Sequence, residues 1–481
     1  MTPYATTGRI RPKDISLTVT GGGSLGSALE LRDLVIRHAP NEHGQATVSL
    51  VVPTDTADKF VEQVTLTTKV KVEAQPDKDK QILFLGYIAR LRSENEADQT
   101  FLTLELIDTS SQVDLEKESR TFQNLSKTYQ DILNTAYGSA GTVKLKSDKN
   151  KAIENMVIQL AETNWEFARR MAARFNLPLI SDLTADKPSV FLGLKDGGNE
   201  VTLTTARLEQ YFAAASYGRI SKSAWGSDGS ATQEDFTGLR VESYSYAYLG
   251  DKLKVNGTLY FVRKVMTRIA GGLLVMTYDL ATKETGVLAP TVEHDDLAGR
   301  ILTAQVKKVD KDLVQVHFVD LDKNYDSSGT VWLPYATAYS SRDGSGWYVM
   351  PEEGDYVRVM FPSGKAEEAF VSSAINMAPL KDAKQKSFKA PGGKEILLTA
   401  DGVEIICDHQ KIFVKLDKDK GISLVSAKNI AVNADGDISL DAKGKIQILA
   451  KSGIDLQAGS SHLKVMTNQV SVGGNEIKLG D

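Results

Sequence analysis

The sequence predicts a mainly β fold: two β-barrels with an α/β insert, a small closed barrel of the OB type, and a C-terminal trimeric intertwined β-helix, or prism. Three observations predict it. Short runs of alternating apolar and polar residues, the period of a half-buried strand, recur along most of the chain. One stretch, 113–215, changes to helical spacing. The last stretch repeats every eight positions: GISLVSAK, NIAVNADG, DISLDAKG, KIQILAKS, GIDLQAGS, starting at Gly421.

Residues 1–112 are read as the first barrel. Ile15, Leu17 and Val19 alternate and stop at Gly21-Gly22-Gly23. Further strand runs fall at 46–52, 64–72, 82–91 and 100–107. The last two flank the polar stretch 93–98 and are expected to form a hairpin with a longer loop. In the insert, 113–215, Leu125, Tyr129, Ile132, Leu133 and Ala136 share one helical face that ends at Gly138. Thr163-Asn164-Trp165-Glu166 fits a capping box opening a second helix. Trp165, Ala168, Ala172 and Phe175 would point inward, with Trp165 as a core anchor and Pro178 just past the end.

Residues 216–284 are read as the second barrel, with a Ser/Gly-rich loop at 216–234 and strand runs at 241–244, 253–255, 260–265 and 273–280. A connector spans 285–298. Residues 299–378 carry five short strand runs, at 300–309, 313–319, 330–333, 356–361 and 369–375, which suit an OB barrel. A Lys-rich neck, 379–392, leads into the prism, 393–481.

In the octads Ile422, Ile430, Ile438, Ile446 and Ile454 share one phase. Leu424, Val432, Leu440, Ile448 and Leu456 follow two positions later. Ser426, Ala434, Ala442, Ala450 and Ala458 come two later again. Such an apolar, polar, apolar, polar, small order is a strand showing one face to a core. The other positions carry turn chemistry: Asp435-Gly436, Lys443-Gly444, Ser452-Gly453, Gly459-Ser460. Nothing nearby in sequence, helical or aromatic, covers that stripe. The period fits neither a hexapeptide solenoid nor a nine-residue calcium-binding repeat. Symmetry is the remaining solution: three copies meet at their apolar edges about one axis. The ten Ile, Leu and Val residues of the first two phases are therefore the predicted trimer core. Each contributes roughly 1.5–3 kcal/mol on burial, before entropy is subtracted. Beyond them Leu463/Val465, Val470/Val472 and Ile477/Leu479 step at about seven residues. Val470, Val472, Gly473, Ile477 and Leu479 are read as a narrowing tip, with Gly473-Gly474 allowing close approach at the axis.

Composition sets bounds. The chain has 481 residues, 41% apolar and 25% charged, which is ordinary for a globular protein of about three or four domains. A net charge of −5 argues against a general nucleic-acid binder. The single cysteine, Cys407, permits no intrachain disulfide and fits folding in a reducing cytoplasm. Its alternation with Val403 and Ile405 reads as a small core residue. MTPYATTGRIRPKD holds no apolar stretch of a secretory signal, and no apolar run reaches the roughly 18 residues of a membrane span. Assembly in the cytoplasm is expected.

Two stretches resemble a known family. GWYVMPEEGDYVRVMF, 346–361, resembles the OB-domain signature of contractile-tail spike proteins: an aromatic-containing loop, a Pro-x-x-Gly-acidic turn, then an alternating strand. Gly299-Arg300-Ile301 and Val314–Phe318 are similar to its opening strands. Thr163–Ala168 resembles a helix start in the hub domain of the late-control D and VgrG group. The order of hub, OB barrel and octad prism is also theirs, and the resemblance covers essentially the whole chain. It implies a homotrimer whose two hub barrels per chain mimic tail-tube subunits. Six tube-like domains then match a six-fold tube to a three-fold needle, which pierces the target cell envelope when the sheath contracts. The implied partners are the tail-tube protein, baseplate components and a PAAR-type cap on the tip. The implied setting is a phage tail or a phage-tail-like particle such as a tailocin, an extracellular injection machine or a type VI spike. The sequence holds no His-x-His pair, and neither the lysozyme-like domain nor the appended effector domain of some relatives is expected. No cofactor, no metal, no nucleic acid and no catalytic residue are expected.

Three other functions compete with this one. An OB-fold nucleic-acid binder has candidate stacking residues in Phe318, Trp332, Tyr335, Trp347 and Tyr348, but 299–361 holds nine acidic and seven basic residues, not a basic groove. A cell-wall hydrolase or glycan-cleaving tail enzyme would use paired carboxylates. Asp295-Asp296 and Glu352-Glu353 read as solvated surface, Asp437 and Asp441 lie in a thin prism, and no Trp or Tyr follows residue 356. A metal tip would use three copies of His462, which reads instead as an exposed polar position.

Overall fold

The computed structural model describes residues 9–26, 29–75, 80–194, 200–203, 205–222, 232–282, 295–328, 330–378, 382–408 and 411–478. The chain divides into two compact units, 1–377 and 378–481.

In the first unit the two predicted barrel regions are joined by strand pairing into one sheet of 12 strands. Its first half runs Ile15–Thr20, Lys69–Ala74, Gln81–Glu96, Gln99–Asp108, Gln45–Val52, Glu30–His38. Its second half continues with Thr258–Ala270, Leu273–Ala281, Thr237–Ser243 and Thr205–Phe212, and Lys252–Val255 branches from Thr258–Ala270 and pairs in turn with Glu200–Thr202. The join lies between Glu30–His38 and Thr258–Ala270, where Val265 faces His38 and Thr267 faces Ile36. One core follows from this continuity: Leu34, Val48, Phe84 and Leu104 from one half and Val241, Val262 and Tyr278 from the other are buried together. The Tyr246 hydroxyl also donates to the Leu83 carbonyl at 3.1 Å.

Several elements differ from the sequence reading. The run expected at 64–72 starts only at Lys69, because helix α1, Thr54–Gln63, precedes it and buries Ala57 and Phe60. The strand Glu30–His38 was not anticipated, because its alternation is broken by a register shift between Leu31 and Asp33. The expected loop at 93–98 is instead hairpin strand up to Glu96 and from Gln99, turning at Ala97 with φ of 53°. Its residues are polar because that arm is solvent-exposed on both faces. The loop expected at 216–234 opens with a short helix, Ala214–Ile220, and 223–231 lies outside the described residues, as does most of the connector.

Both expected helices form within 113–215, while Thr205–Phe212, also inside those bounds, pairs into the 12-stranded sheet. Helix α2, Tyr129–Tyr137, is opened by a capping box between Thr128 and Asp131 and closed by Gly138 at φ of 52°. Tyr129, Ile132, Leu133 and Ala136 are buried, whereas Leu125 precedes the helix and is exposed. Helix α3, Asn164–Arg174, has the expected box: Thr163 Oγ1 accepts from the Glu166 N–H at 3.0 Å, and Glu166 accepts from the Thr163 N–H at 2.9 Å. Trp165, Ala168 and Ala172 are buried, together with Phe167 and Met171.

The five OB strands, Ile301–Asp310, Leu313–His317, Leu333–Pro334, Tyr356–Met360 and Phe370–Ala374, form one sheet. It is closed by a parallel bridge of Tyr335 to Val371, where the Ala336 N–H donates to the Val371 carbonyl at 2.8 Å. Phe318, Val316, Val357 and Phe361 fill the barrel. Met156 and Ile158 of the insert share that core.

The second unit holds two antiparallel meanders. The first takes Lys386–Ala390, Lys394–Leu398, Gly402–Asp408, Ile412–Asp417 and Gly421–Ser426 in chain order. The Lys-rich neck is thus partly strand, turning at Gly392 and Gly393, both at φ of 80°. The second takes Gly453–Ala458, Ser461–Met466 and Gln469–Gly473. Between them, 427–452 contains no strand. Backbone partners expected only from other copies are thus supplied in part by the chain itself.

Candidate assembly interface

The octads carry their apolar positions outward into solvent. Every predicted trimer-core residue, Ile422, Leu424, Ile430, Val432, Ile438, Leu440, Ile446, Ile448 and Leu456, is exposed, and Ile454 is half-buried. Leu440 has 73% of its surface open and Ile422 76%. Side chains of this kind are rarely left in water as a contiguous patch, and such patches mark contact sites.

Register shows that the apolar positions form rows. Leu416 faces Ile422 and Val414 faces Leu424. Ile454, Val465 and Val470 face one another across three strands, as do Leu456, Leu463 and Val472. In an antiparallel pair directly opposed residues lie on the same sheet face, so each row is one continuous apolar edge.

The tip residues belong to the same pattern. Val470, Val472 and Ile477 are exposed, and Leu479 lies outside the described residues. Gly473 has a local role: a Cβ there would come within 2.4 Å of the His462 ring. Likewise a Cβ on Gly474 would meet the Ser461 hydroxyl at 2.9 Å. These glycines make room for side chains on the neighbouring strand of their own chain.

One expectation is corrected. Cys407 is exposed, not a core residue. Ile405, on the same alternation, is 51% exposed, and Ile406 on the opposite phase takes the buried place, so the phase that carries Cys407 faces solvent. Cys407 is also the extra residue of a bulge, where pairing with Ile412–Asp417 shifts between Ile406 and Asp408.

Residues weighed for chemistry do not converge. Glu352, Glu353, Asp437 and Asp441 are exposed, and Asp437 and Asp441 lie in the strandless segment. His462 is exposed on its strand. Among the described residues no three His, Cys, Asp or Glu side chains gather as a metal site, and no helix is long and apolar enough to cross a membrane. Of the OB aromatics, Phe318 is buried, while Trp332, Trp347 and Tyr348 are exposed.

The sequence reading missed a buried polar network where barrel meets insert. His43 Nδ1 lies 2.7 Å from Ser110 Oγ and its Nε2 3.0 Å from Asp114 Oδ2. That order resembles a nucleophile, base and acid, yet the Ser110 hydroxyl donates to Asp108 and is buried. Its proton is committed and no substrate reaches it. Asp108 also accepts from the Gly44 N–H at 2.7 Å and from the Ser181 hydroxyl. Burial raises the Asp114 carboxyl, but hydrogen bonds from His43 and Thr163 outweigh it and hold the group below the usual range. The network holds the barrel–insert junction together. Its members are scattered over 43–181, so no spacing motif announces it.

Residues 302–375 match the family model of the type VI secretion system/phage-baseplate injector OB domain. An Escherichia coli protein, described as a type VI secretion system component similar in structure to T4 bacteriophage tail proteins gp27 and gp5, has a similar fold. The TM-score is 0.52 at 15% identity, covering 75% of this chain and 100% of that one. A chain of the lidded Francisella PdpA–VgrG complex matches at a TM-score of 0.53 and 9% identity, covering 85% of this chain and 79% of its own. The lidless form of that complex gives 0.52 at 10% identity, covering 85% and 98%. No curated protein sequence matches the chain. Residues 302–375 are thus an injector-type OB domain, and the chain has the mainly β fold of VgrG-like spikes of contractile injection systems.

Proposed function

We propose that the chain is a structural hub and spike, acting as a homotrimer at the distal end of a contractile tail tube. Residues 1–112 and 216–284 would serve as the tube-like parts of the hub, 299–378 as the OB collar and 393–481 as the needle. Three chains present six tube-like parts, adapting a six-fold tube to a three-fold needle. On sheath contraction the needle leads through the target envelope. Its partners are the tail-tube protein, other baseplate components and a PAAR-type cap at Val470, Val472, Gly473, Ile477 and Leu479. It assembles in the cytoplasm and then forms part of a phage tail, a phage-tail-like particle or a type VI apparatus.

The observation that carries this reading is the exposed octad stripe: of ten phase-locked aliphatic positions, nine are left exposed by their own chain and Ile454 is half-buried. A prism of three chains covers them along the axis that bears load. The structural role, as opposed to an enzymatic one, is supported by the type VI and tail-protein descriptions of the proteins that share the fold. Native mass spectrometry tests the proposal. A species of three times the 52.4 kDa chain mass is expected. A monomer whose octad amides are protected from exchange would overturn it.

A further inference from the structure

The octads carry charge as well as aliphatic side chains, and the charge changes sign between the second repeat and the third; the fourth keeps a lysine, Lys451, at the sixth position from its isoleucine. The second octad has Asp435 and Asp437 at its sixth and eighth positions, counted from its isoleucine; the third has Lys443 and Lys445 at the same two positions. All four are exposed, and among the described residues no ion pair engages them. The flanking meanders behave differently. There Glu404 and Lys415 are cross-strand neighbours with a 2.9 Å ion pair, and Asp455 and Lys464 are neighbours at 3.6 Å. Where this unit's strands are paired, then, facing charges are opposite; where they are unpaired, the complementary charges stand eight residues apart.

Resting on the trimeric reading above, we propose that Asp435/Lys443 and Asp437/Lys445 are pairs between copies of this chain that set the register of the prism. A strand of five residues and a corner of three make one side of a three-sided prism, so each octad carries its chain to the next side and up one rung. The place above the second octad on its own side is then filled by the third octad of a neighbouring copy. Strands in a sheet lie about 4.8 Å apart, so equivalent positions of adjacent rungs are in ion-pair reach. In register, the aspartates of one copy meet the lysines of the next. Slipped by one octad, Asp435 and Asp437 meet their own counterparts, and like charges repel. The Ile and Leu phases repeat every octad and do not distinguish the two registers; the charges do.

Exposed ion pairs add little affinity, so the expected effect is on correct assembly more than on final stability. The test refolds the full chain at low salt and reads the trimer yield by native mass spectrometry. Asp435→Lys with Asp437→Lys should lower the yield about ten-fold. Adding Lys443→Asp and Lys445→Asp should restore most of it, and raised salt should reduce the difference. A charge-reversed chain that assembles like the unaltered one, or a four-fold variant no better than the two-fold variant, overturns the register proposal and leaves the trimer standing. An unaltered chain that remains monomeric overturns the trimer reading itself.

Discussion

Thr121 of the insert donates both its backbone N–H, at 2.7 Å, and its hydroxyl to the carboxylate of Asp322 in the OB barrel. Close by, the Asn124 side-chain amide donates to Asp326 at 3.1 Å and to Ser328 at 3.0 Å. With Met156 and Ile158 in the OB core, these bonds make insert and barrel one mechanical piece.

Burial pushes the Asp322 carboxyl up, and the Thr121 hydrogen bonds only partly offset this. A carboxyl raised on folding binds its proton more readily in the native state. Its contribution is therefore largest in acid and declines as pH rises from the ordinary carboxylate range through the raised native value. Asp322→Asn should remove that decline from thermal unfolding curves measured across the acidic range. Asp322→Ala should cost about 1–3 kcal/mol, because the Thr121 N–H loses its acceptor. An unchanged pH slope in Asp322→Asn would show that the carboxyl is not the group responsible.

His38 should produce the opposite slope. Burial lowers its pKa from 6.5 to about 4, against the pull of Asp108 and Asp182. The unfolded chain takes up the proton first, so stability is complete above about pH 6.5 and is lost as pH falls towards 4. The full effect is about 3 kcal/mol. His38→Leu should flatten this part of the profile, read as the unfolding midpoint in urea at several pH values. A variant retaining the full slope would assign it elsewhere.

Two tryptophans should separate core from surface. Trp165 is 3% exposed in the insert core, with the His43 ring centroid 4.0 Å from its own; Trp347 is 64% exposed on the OB loop. Trp165→Ala should cost about 3–5 kcal/mol. Trp347→Ala should stay within about 0.5 kcal/mol. Chemical unfolding of both variants checks this; equal losses would mean that the OB loop is packed in solution.

These contrasts show what is legible in a sequence. The capping box at Thr163 and the positive-φ glycine stop at Gly138 are local signals, and both helices stand where those residues indicate. The OB strands follow from clean alternation. Broken or two-sided alternation defeats that reading: a bulge at Leu31–Asp33 hid a strand, and at Ile405-Ile406-Cys407 both phases are apolar, so nothing in the pattern says that Ile406, and not Ile405 and Cys407, faces inward. The His43–Ser110–Asp114 network was illegible because its members meet only through tertiary packing. The octads were the clearest signal, since a stripe repeated in phase states its need for a partner whatever the rest of the chain does.

That need gives the last prediction. Leu440 and Ser439 are adjacent and exposed, but only Leu440 lies on the apolar phase. In a single chain an aspartate is tolerated at either position, since each faces water. In a prism Leu440 turns to the axis, where three carboxylates would share a small apolar space. Burying an unpaired charge costs several kcal/mol, and three-fold symmetry triples the fault. Leu440→Asp should therefore shift the native mass from trimer to monomer, and Ser439→Asp should leave the trimer intact. Far-UV circular dichroism of the 1–377 unit should be unaffected in both, because that unit keeps its own core. If Leu440→Asp assembles as firmly as Ser439→Asp, the octad stripe is not the contact between copies, and the needle must be built on another face.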